Sequence, residues 1–175
     1  MCELYRDTRK DRSWDFDVDD ASAKAHEELG DVDSAVSIYR KLFLHDENQP
    51  FFPTSALLNA PFMIAKKGRK SDFPFAFEAL ARAKANLSKQ GLKFPFQEFI
   101  FHASHALIRH RSKEKQEAVD HARRALDAAG VADTGLRYHR KVGLVGAEHQ
   151  PTVMALKSIT SGYPPWLLGL MAKVG

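Results

Sequence analysis

Apolar residues recur at every third or fourth position through most of the chain, which is the spacing typical of helices that bury one face. In the stretch 32–43 the apolar positions are Val32, Ala35, Val36, Ile38, Tyr39, Leu42 and Phe43. A β-strand would instead alternate apolar and polar residues one by one. The pattern therefore predicts an all-α chain.

Six long helices follow from this pattern and from the residues that end each run. We expect them at about 20–29, 32–44, 55–67, 72–90, 94–111 and 113–129, with two shorter helices at 134–142 and 151–160. Gly130 is expected to end the sixth helix in the left-handed conformation. Pro61 lies inside the third helix and predicts a kink, or a start delayed to near Asn59, because proline lacks the backbone N–H.

The chain divides into three parts. In residues 1–18 charged residues alternate around Trp14 and Phe16, and we expect an N-terminal arm there. Residues 19–130 contain the six long helices. Residues 131–175 are less regular and end in an apolar segment around Trp166. That segment predicts a C-terminal helical cap over the core, and the alternative is an exposed docking segment.

The second helix of each expected pair carries a repeated set of small and apolar residues. Ala35, Tyr39 and Leu42 are separated by four and three positions. The same spacing recurs in two further sets, which are Ala76, Leu80 and Ala83, and Ala118, Ala122 and Ala125. The first members of the three sets lie 41 and 42 positions apart. Because a small residue lets two helices approach closely, this period predicts about three stacked antiparallel helix pairs.

The stretch 29–43 resembles the turn and second helix of a tetratricopeptide repeat. Gly30 matches the turn glycine of that family, and Ala35, Tyr39 and Leu42 match its small, aromatic and apolar positions. The resemblance implies a right-handed α-solenoid over roughly residues 19–130. Three features depart from the family pattern, and the first is that the family's set of Trp, Leu, Gly and Tyr in the first helix is mostly absent. The spacing exceeds the common repeat of about 34 residues, and Glu47 stands where the closing proline is usual.

In the family, the first helix of each pair lines a concave groove that holds a protein or peptide partner. Carried over to this sequence, the resemblance implies a groove at Lys24, Glu27, Glu28, Ala65, Arg69, Leu107, His110 and Arg111. The set of lysines and asparagines with which some members clamp a C-terminal carboxylate is not reproduced. Binding of chaperone tails is therefore not implied.

Composition and cysteine use limit the remaining possibilities. The 175 residues suit one domain with a continuous core, and 44% of them are hydrophobic. The single cysteine, Cys2, excludes an internal disulfide, which fits a reducing compartment. No apolar run approaches the roughly 20 residues that a membrane helix needs. We therefore expect a cytoplasmic protein that does not enter a membrane, and the oligomeric state stays open.

Charge is distributed unevenly along the chain. Residues 1–48 carry a net charge of −6, and residues 49–175 carry +10. Two cationic clusters, which we call the basic edge, end the first helices of the second and third pairs. They are Lys66, Lys67, Arg69 and Lys70, and Arg109, His110, Arg111, Lys113 and Lys115. Stacking predicts that the clusters meet and attract an acidic partner or a nucleic acid. Favourable interaction with helix dipoles, on a mixed solvated surface, is the alternative.

Histidines are the other candidate for chemistry. His102 and His105 lie three positions apart, Glu98 precedes them by one turn, and His121 lies on the neighbouring helix, so a metal site is one interpretation. Packed or surface histidines are the other, because no His-Glu-x-x-His motif is present. The sequence also lacks a nucleophile elbow and a phosphate-binding loop. We therefore expect no enzyme, no cofactor and no bound metal.

The sequence favours a protein-interaction scaffold that binds a protein or peptide segment through the groove and the basic edge. The partner-binding residues expected are Lys24, Glu27, Arg69, Arg109, His110 and Arg111. Substitution of Arg69, Arg109 or Arg111 is expected to weaken partner binding without lowering the melting temperature. A nucleic-acid-binding helical protein is the alternative, and a metal-dependent enzyme is the second alternative.

Overall fold

Seven α-helices and no β-strand occur in the residues that the computed structural model describes, which are 13–46, 55–89 and 94–164. The helices are α1 (Ser13–Glu28), α2 (Val32–Asp46), α3 (Ser55–Lys67), α4 (Phe73–Lys89), α5 (Pro95–Arg111), α6 (Lys115–Ala129) and α7 (Gln150–Ser161). The prediction of an all-α chain is confirmed for these residues. The apolar tail around Trp166 lies outside them.

Most helix boundaries agree with the sequence pattern to within about two residues, but the first helix is longer than predicted. It begins at Ser13, so the last residues of the expected N-terminal arm are helical. Asp19 and Asp20 lie within α1. The Asp20 carboxylate accepts a hydrogen bond of 2.6 Å from Lys24 one turn later, a pairing that suits the interior of a helix.

Pro61 neither delays nor ends α3, which runs from Ser55 to Lys67. The proline is buried, and its neighbours Ala60 and Phe62 are buried as well. A proline inside a helix costs about 3 kcal/mol through the lost hydrogen bond and a steric clash. Burial of apolar residues on both sides of Pro61 offsets that cost, so the expectation of a start near Asn59 is wrong.

Residues 131–146 form an irregular loop, and the helix predicted at 134–142 is wrong. Gly135 and Gly143 adopt φ angles of 75° and 74°, which lie outside the helical region. Thr134 closes the loop, because its N–H donates to the Arg140 carbonyl over 2.9 Å. Gly130, just before the loop, has a φ of −79°, so the left-handed ending predicted there is also wrong.

The long helices are connected into pairs by short turns. Residues 29–31 join α1 to α2, 68–72 join α3 to α4, and 112–114 join α5 to α6. Connections of this length place consecutive helices antiparallel and side by side. Successive pairs meet mainly through α3, which packs against both α2 and α5, and α7 then packs against α6 and α5.

The repeated alanines lie at the centre of these contacts. Ala35, Ala76 and Ala118 are each fully buried, and so are the later members of their sets. Larger buried side chains from other helices fill the core, among them Met63, Phe99 and Leu156. The sequence pattern therefore identified the buried face of the second helix in all three pairs.

Candidate functional site

A cleft of ≈ 560 Å³ opens between α4, α5 and α6. We call it the histidine cleft, and its defining residues are Phe77, Lys84, Phe101, His102, His105, His121 and Arg124. It exists because α5 packs chiefly against α3 and α6, and much less against α4. The side of α4 that faces α6 therefore borders a gap that side chains do not fill.

Local helix geometry brings the three histidines together. His102 and His105 are three positions apart on α5, so they share one face of the helix. His121 comes from α6, which packs along α5 as its antiparallel partner. The rings of His105 and His121 stack with centroids 4.4 Å apart and planes 15° apart. Phe101 meets the His105 ring edge-on at 4.9 Å, and these contacts fix the orientation of the imidazoles.

Burial keeps the three imidazoles neutral at physiological pH. It lowers the pKa of His102 to about 4, that of His105 to about 3, and that of His121 to about 4. Nearby cations lower these pKa values further, because a positive charge disfavours protonation of a neighbouring imidazole. Arg124 acts on His102 and His121 in this way, and Lys84 acts on His102 and His105.

One hydrogen bond joins the imidazoles of His102 and His121. Their Nδ1 atoms are 2.9 Å apart, so one nitrogen donates and the other accepts. The Glu98 carboxylate lies 3.5 Å from Nε2 of His102, which favours a proton on that nitrogen. Nδ1 of His102 is then the acceptor, and His121 donates through its own Nδ1. This arrangement leaves Nε2 of His121 without a proton.

Two cations at the cleft lack carboxylate partners among the described residues. They are Lys84 and Arg124, both of which are exposed. Arg109 also lines the cleft, but its guanidinium forms ion pairs with Glu114 and Glu117. The cleft therefore offers an aromatic wall, neutral hydrogen-bonding imidazoles and two positive charges that no side chain of the described residues neutralises.

The same histidines do not form a metal centre in this arrangement. Within the part of the chain that the structure describes, no group of three or more His, Cys, Asp or Glu side chains converges on one point as metal ligands. The His105 and His121 rings stack face to face, so their nitrogens lie in neighbouring parallel planes. The interpretation as packed histidines between helices accounts for the geometry.

The basic edge does form, because the ends of α1, α3 and α5 lie together. Lys67 at the end of α3 donates over 3.0 Å to the carbonyl of Glu27 in α1. Arg111 at the end of α5 donates to the carbonyls of Ile64, Ala65 and Gly68 over 3.2, 3.1 and 2.7 Å. The predicted meeting of the two cationic clusters is thus visible in the contact between α3 and α5.

Most predicted partner-binding side chains at this edge already have partners within the chain. Lys24 pairs with Asp20, Arg69 pairs with Asp33, and Glu27 lies 3.7 and 3.6 Å from the ammonium groups of Lys66 and Lys67. The guanidinium of Arg111 caps α3, so we expect its substitution to lower the melting temperature, in contrast to the sequence-based expectation. His110 is exposed. Ala65, implied as a groove residue, is buried.

Of the predicted partner-binding residues, only Arg109 lines the histidine cleft. The histidines are candidates from the sequence alone, whereas Phe77, Lys84 and Arg124 are not. The available signal was helical spacing, since Phe77 and Lys84 are seven positions apart and so share one face of α4. The loose packing of α5 against α4 has no signature in the sequence, and it leaves the cleft open.

Among the residues described by the structure, no helix has the length and apolar character needed to cross a membrane. Comparisons of the chain with models of protein families, with curated proteins and with solved structures found no match.

Proposed function

We propose that this chain is a helical-repeat interaction module, a binding protein rather than an enzyme, which receives a segment of a partner protein in the histidine cleft. The observation that carries the proposal is the cleft itself, an open space of ≈ 560 Å³ between α4, α5 and α6. Its aromatic and cationic residues lie where a ligand can reach them. Clefts of this size that combine aromatic residues with polar groups are typical binding sites.

The proposal includes a tetratricopeptide-like architecture, in which the three pairs form a right-handed α-solenoid. Two contacts support it. The hydrogen bond from Lys67 to α1 and those from Arg111 to α3 place the ends of the three first helices at one edge. Such a side-by-side arrangement of first helices is expected of stacked pairs. The cleft lies beside the second helices α4 and α6, and it reaches that edge at Arg109.

The cations of the basic edge are less available to a partner than those of the histidine cleft. Because Arg69, Arg109 and Arg111 have ion-pair or carbonyl partners within the chain, releasing them to bind a partner would cost those interactions. Lys84 and Arg124 need no such release. We therefore place the primary contact with an acidic partner in the histidine cleft, and we assign the basic edge to holding the helix pairs together.

Blocking the cleft tests the proposed function. Ala81 lines the cleft on α4 and is exposed, so Ala81→Trp should fill part of the space without disturbing the core. We expect peptides selected against the native chain from a displayed random library to lose binding to this variant by at least about tenfold. The matched control is Ala21→Trp, at an exposed position of α1, which should bind normally. Equal loss in both variants, or in neither, would refute the cleft as the receptor.

A second candidate function, nucleic-acid binding, is favoured by one surface. Residues 137–141, which we call the basic loop, read Arg-Tyr-His-Arg-Lys and are all exposed. The Tyr138 side chain is 80% exposed, and the Arg137 guanidinium lies 5.3 Å from its ring centroid. Exposed aromatic rings among cations suit the stacking of single-stranded bases.

Salt dependence distinguishes this candidate from the first. If the basic loop binds single-stranded RNA, Arg137→Gln combined with Lys141→Gln should reduce the slope of log affinity against log salt by about 1.4, or ~0.7 per lost phosphate contact. Tyr138→Ala should weaken binding by about tenfold through lost stacking. Fluorescence anisotropy with an oligouridine measures both. An affinity that neither variant changes removes the basic loop as a nucleic-acid site.

A further inference from the structure

The histidine cleft has an apolar side and a positively charged side. Phe77 and Phe101 supply the aromatic rings, and Lys84 and Arg124 supply the cations. We propose that the cleft binds a carboxylate carried on an aromatic or aliphatic group, with the acid at the cations and the apolar group against the rings. This inference rests on the proposed function, because it names the chemical group that the partner segment presents.

The charge balance of the cleft favours an anion over a cation. Among the described residues that line it, Glu98 is the one carboxylate, and it lies against His102. Among the residues that the structure describes, three cations line the same space, and only Arg109 is neutralised by carboxylates, those of Glu114 and Glu117. A bound carboxylate would lower the repulsion between the other two cations, whereas an amine would increase it.

The aromatic side supports an apolar carrier for that carboxylate. Phe77 lies 5.6 Å from the His105 ring, and Phe101 lies 5.1 Å from the His102 ring. These rings and the neutral imidazoles form a continuous wall with little charge of its own. A flat or branched apolar group would remove this wall from water, which stabilises the complex in proportion to the area covered.

The paired imidazoles can take up one proton when the anion binds. A proton added at Nε2 of His121 keeps the 2.9 Å contact between the two Nδ1 atoms, since His121 remains the donor there. Burial holds the pKa of His121 at about 4 in the empty cleft. A nearby carboxylate would raise this pKa, because it stabilises the imidazolium. Binding should therefore strengthen as the pH falls from about 7 towards about 5.5.

Charged and titratable groups from three helices face His121, and the bound anion acts together with all of them. They are Lys84 on α4, Glu98, His102, His105 and Arg109 on α5, and Glu117 and Arg124 on α6. Burial is the largest cause that lowers the pKa of His121, followed by His102, Arg109 and Arg124, whereas Glu117 raises it. A carboxylate bound at Arg124 offsets part of this opposition.

Small probes test the proposal on the full chain by titration calorimetry. We expect benzoate to bind, acetate to bind more weakly because it lacks a ring, and benzylamine not to bind. Arg124→Gln combined with Lys84→Gln should weaken benzoate by about tenfold, the loss expected for two partly exposed charge contacts. Arg123→Gln combined with Lys157→Gln is the matched control at exposed positions outside the cleft, and it should leave benzoate affinity unchanged.

Three results would overturn the carboxylate assignment. They are equal binding of benzylamine and benzoate, benzoate affinity that the cleft variant leaves unchanged, and no measurable benzoate binding. His121→Gln adds an independent readout, because it should remove the strengthening at lower pH, and a pH dependence that persists contradicts the proton uptake. If benzoate fails while Ala81→Trp still abolishes peptide binding, the proposed function stands and only the ligand chemistry is wrong.

Discussion

Replacing Arg111 with alanine should destabilise the protein by about 3 kcal/mol, because its guanidinium makes three charge-assisted hydrogen bonds. They join it to the carbonyls of Ile64, Ala65 and Gly68, at the end of α3. Carbonyls at the end of a helix lack part of their N–H partners, and of these three the Ile64 carbonyl also accepts from the N–H of Gly68. The guanidinium also lies 5.0 Å from the centroid of the Phe73 ring. The substitution therefore removes both the cap of α3 and a contact between two helix pairs.

Thermal melting followed by circular dichroism measures this effect. For a domain of this size, about 3 kcal/mol corresponds to a fall in melting temperature of roughly 6–12 °C. Arg111→Lys should recover only part of the loss, since an ammonium cannot match the planar fork of the guanidinium. Arg123→Ala is the matched control on the exposed face of α6, and it should change the melting temperature by less than about 2 °C. A stable Arg111→Ala variant would show that this cap does not hold the pairs together.

Enlarging a repeat alanine should have an effect of similar size. Ala76 is fully buried on α4, at the position equivalent to Ala35 and Ala118. Ala76→Leu adds three carbon atoms where two helices are in contact. Overpacking of this kind typically costs about 1–3 kcal/mol, through displaced side chains and backbone. We expect the upper end of that range, because the neighbouring Ala79, Leu80 and Ala83 are fully buried too.

Urea denaturation of Ala76→Leu compared with Ala85→Leu tests this prediction. Ala85 lies on the exposed face of the same helix, and leucine is nearly as good a helix former as alanine. The control should therefore unfold at the same urea concentration as the native chain, whereas Ala76→Leu should unfold at a clearly lower one. If both variants unfold together, the alanines do not set the distance between the helices.

The sequence predicted the helices and their buried faces well, because both depend on local spacing. The sets that begin at Ala35, Ala76 and Ala118 are buried, as a helical period of apolar residues requires. The errors have local causes as well. The intrinsic cost of a proline inside a helix predicts a kink or a delayed start at Pro61, but burial of the surrounding residues outweighs that cost. The sequence predicts a helix after Gly130, but this segment is a loop in which Gly135 and Gly143 adopt left-handed conformations.

The candidate site was harder to predict, because it depends on how far apart the helices lie. His102, His105 and His121 stood out as unusual residues, but the sequence left open whether they bind a metal or pack together. Their stacking follows from the contact between α5 and α6. The side chains of Lys84 and Arg124 became candidates only once the structure placed them at one cleft. Arg111 is the opposite case. The sequence predicts that it binds a partner protein, but in the structure its guanidinium donates to a carbonyl within the chain.

Histidines lie both inside and outside the cleft, so their imidazole rings allow the central claim to be tested directly. Imidazole resonances can be followed by NMR while a peptide selected against the native chain is added. We predict that the resonances of His102, His105 and His121 shift as the cleft fills, while those of His26 and His139, which lie outside the cleft, stay in place. Shifts at His26 or His139 with the cleft histidines unchanged would show that the partner segment binds elsewhere, and would contradict the account.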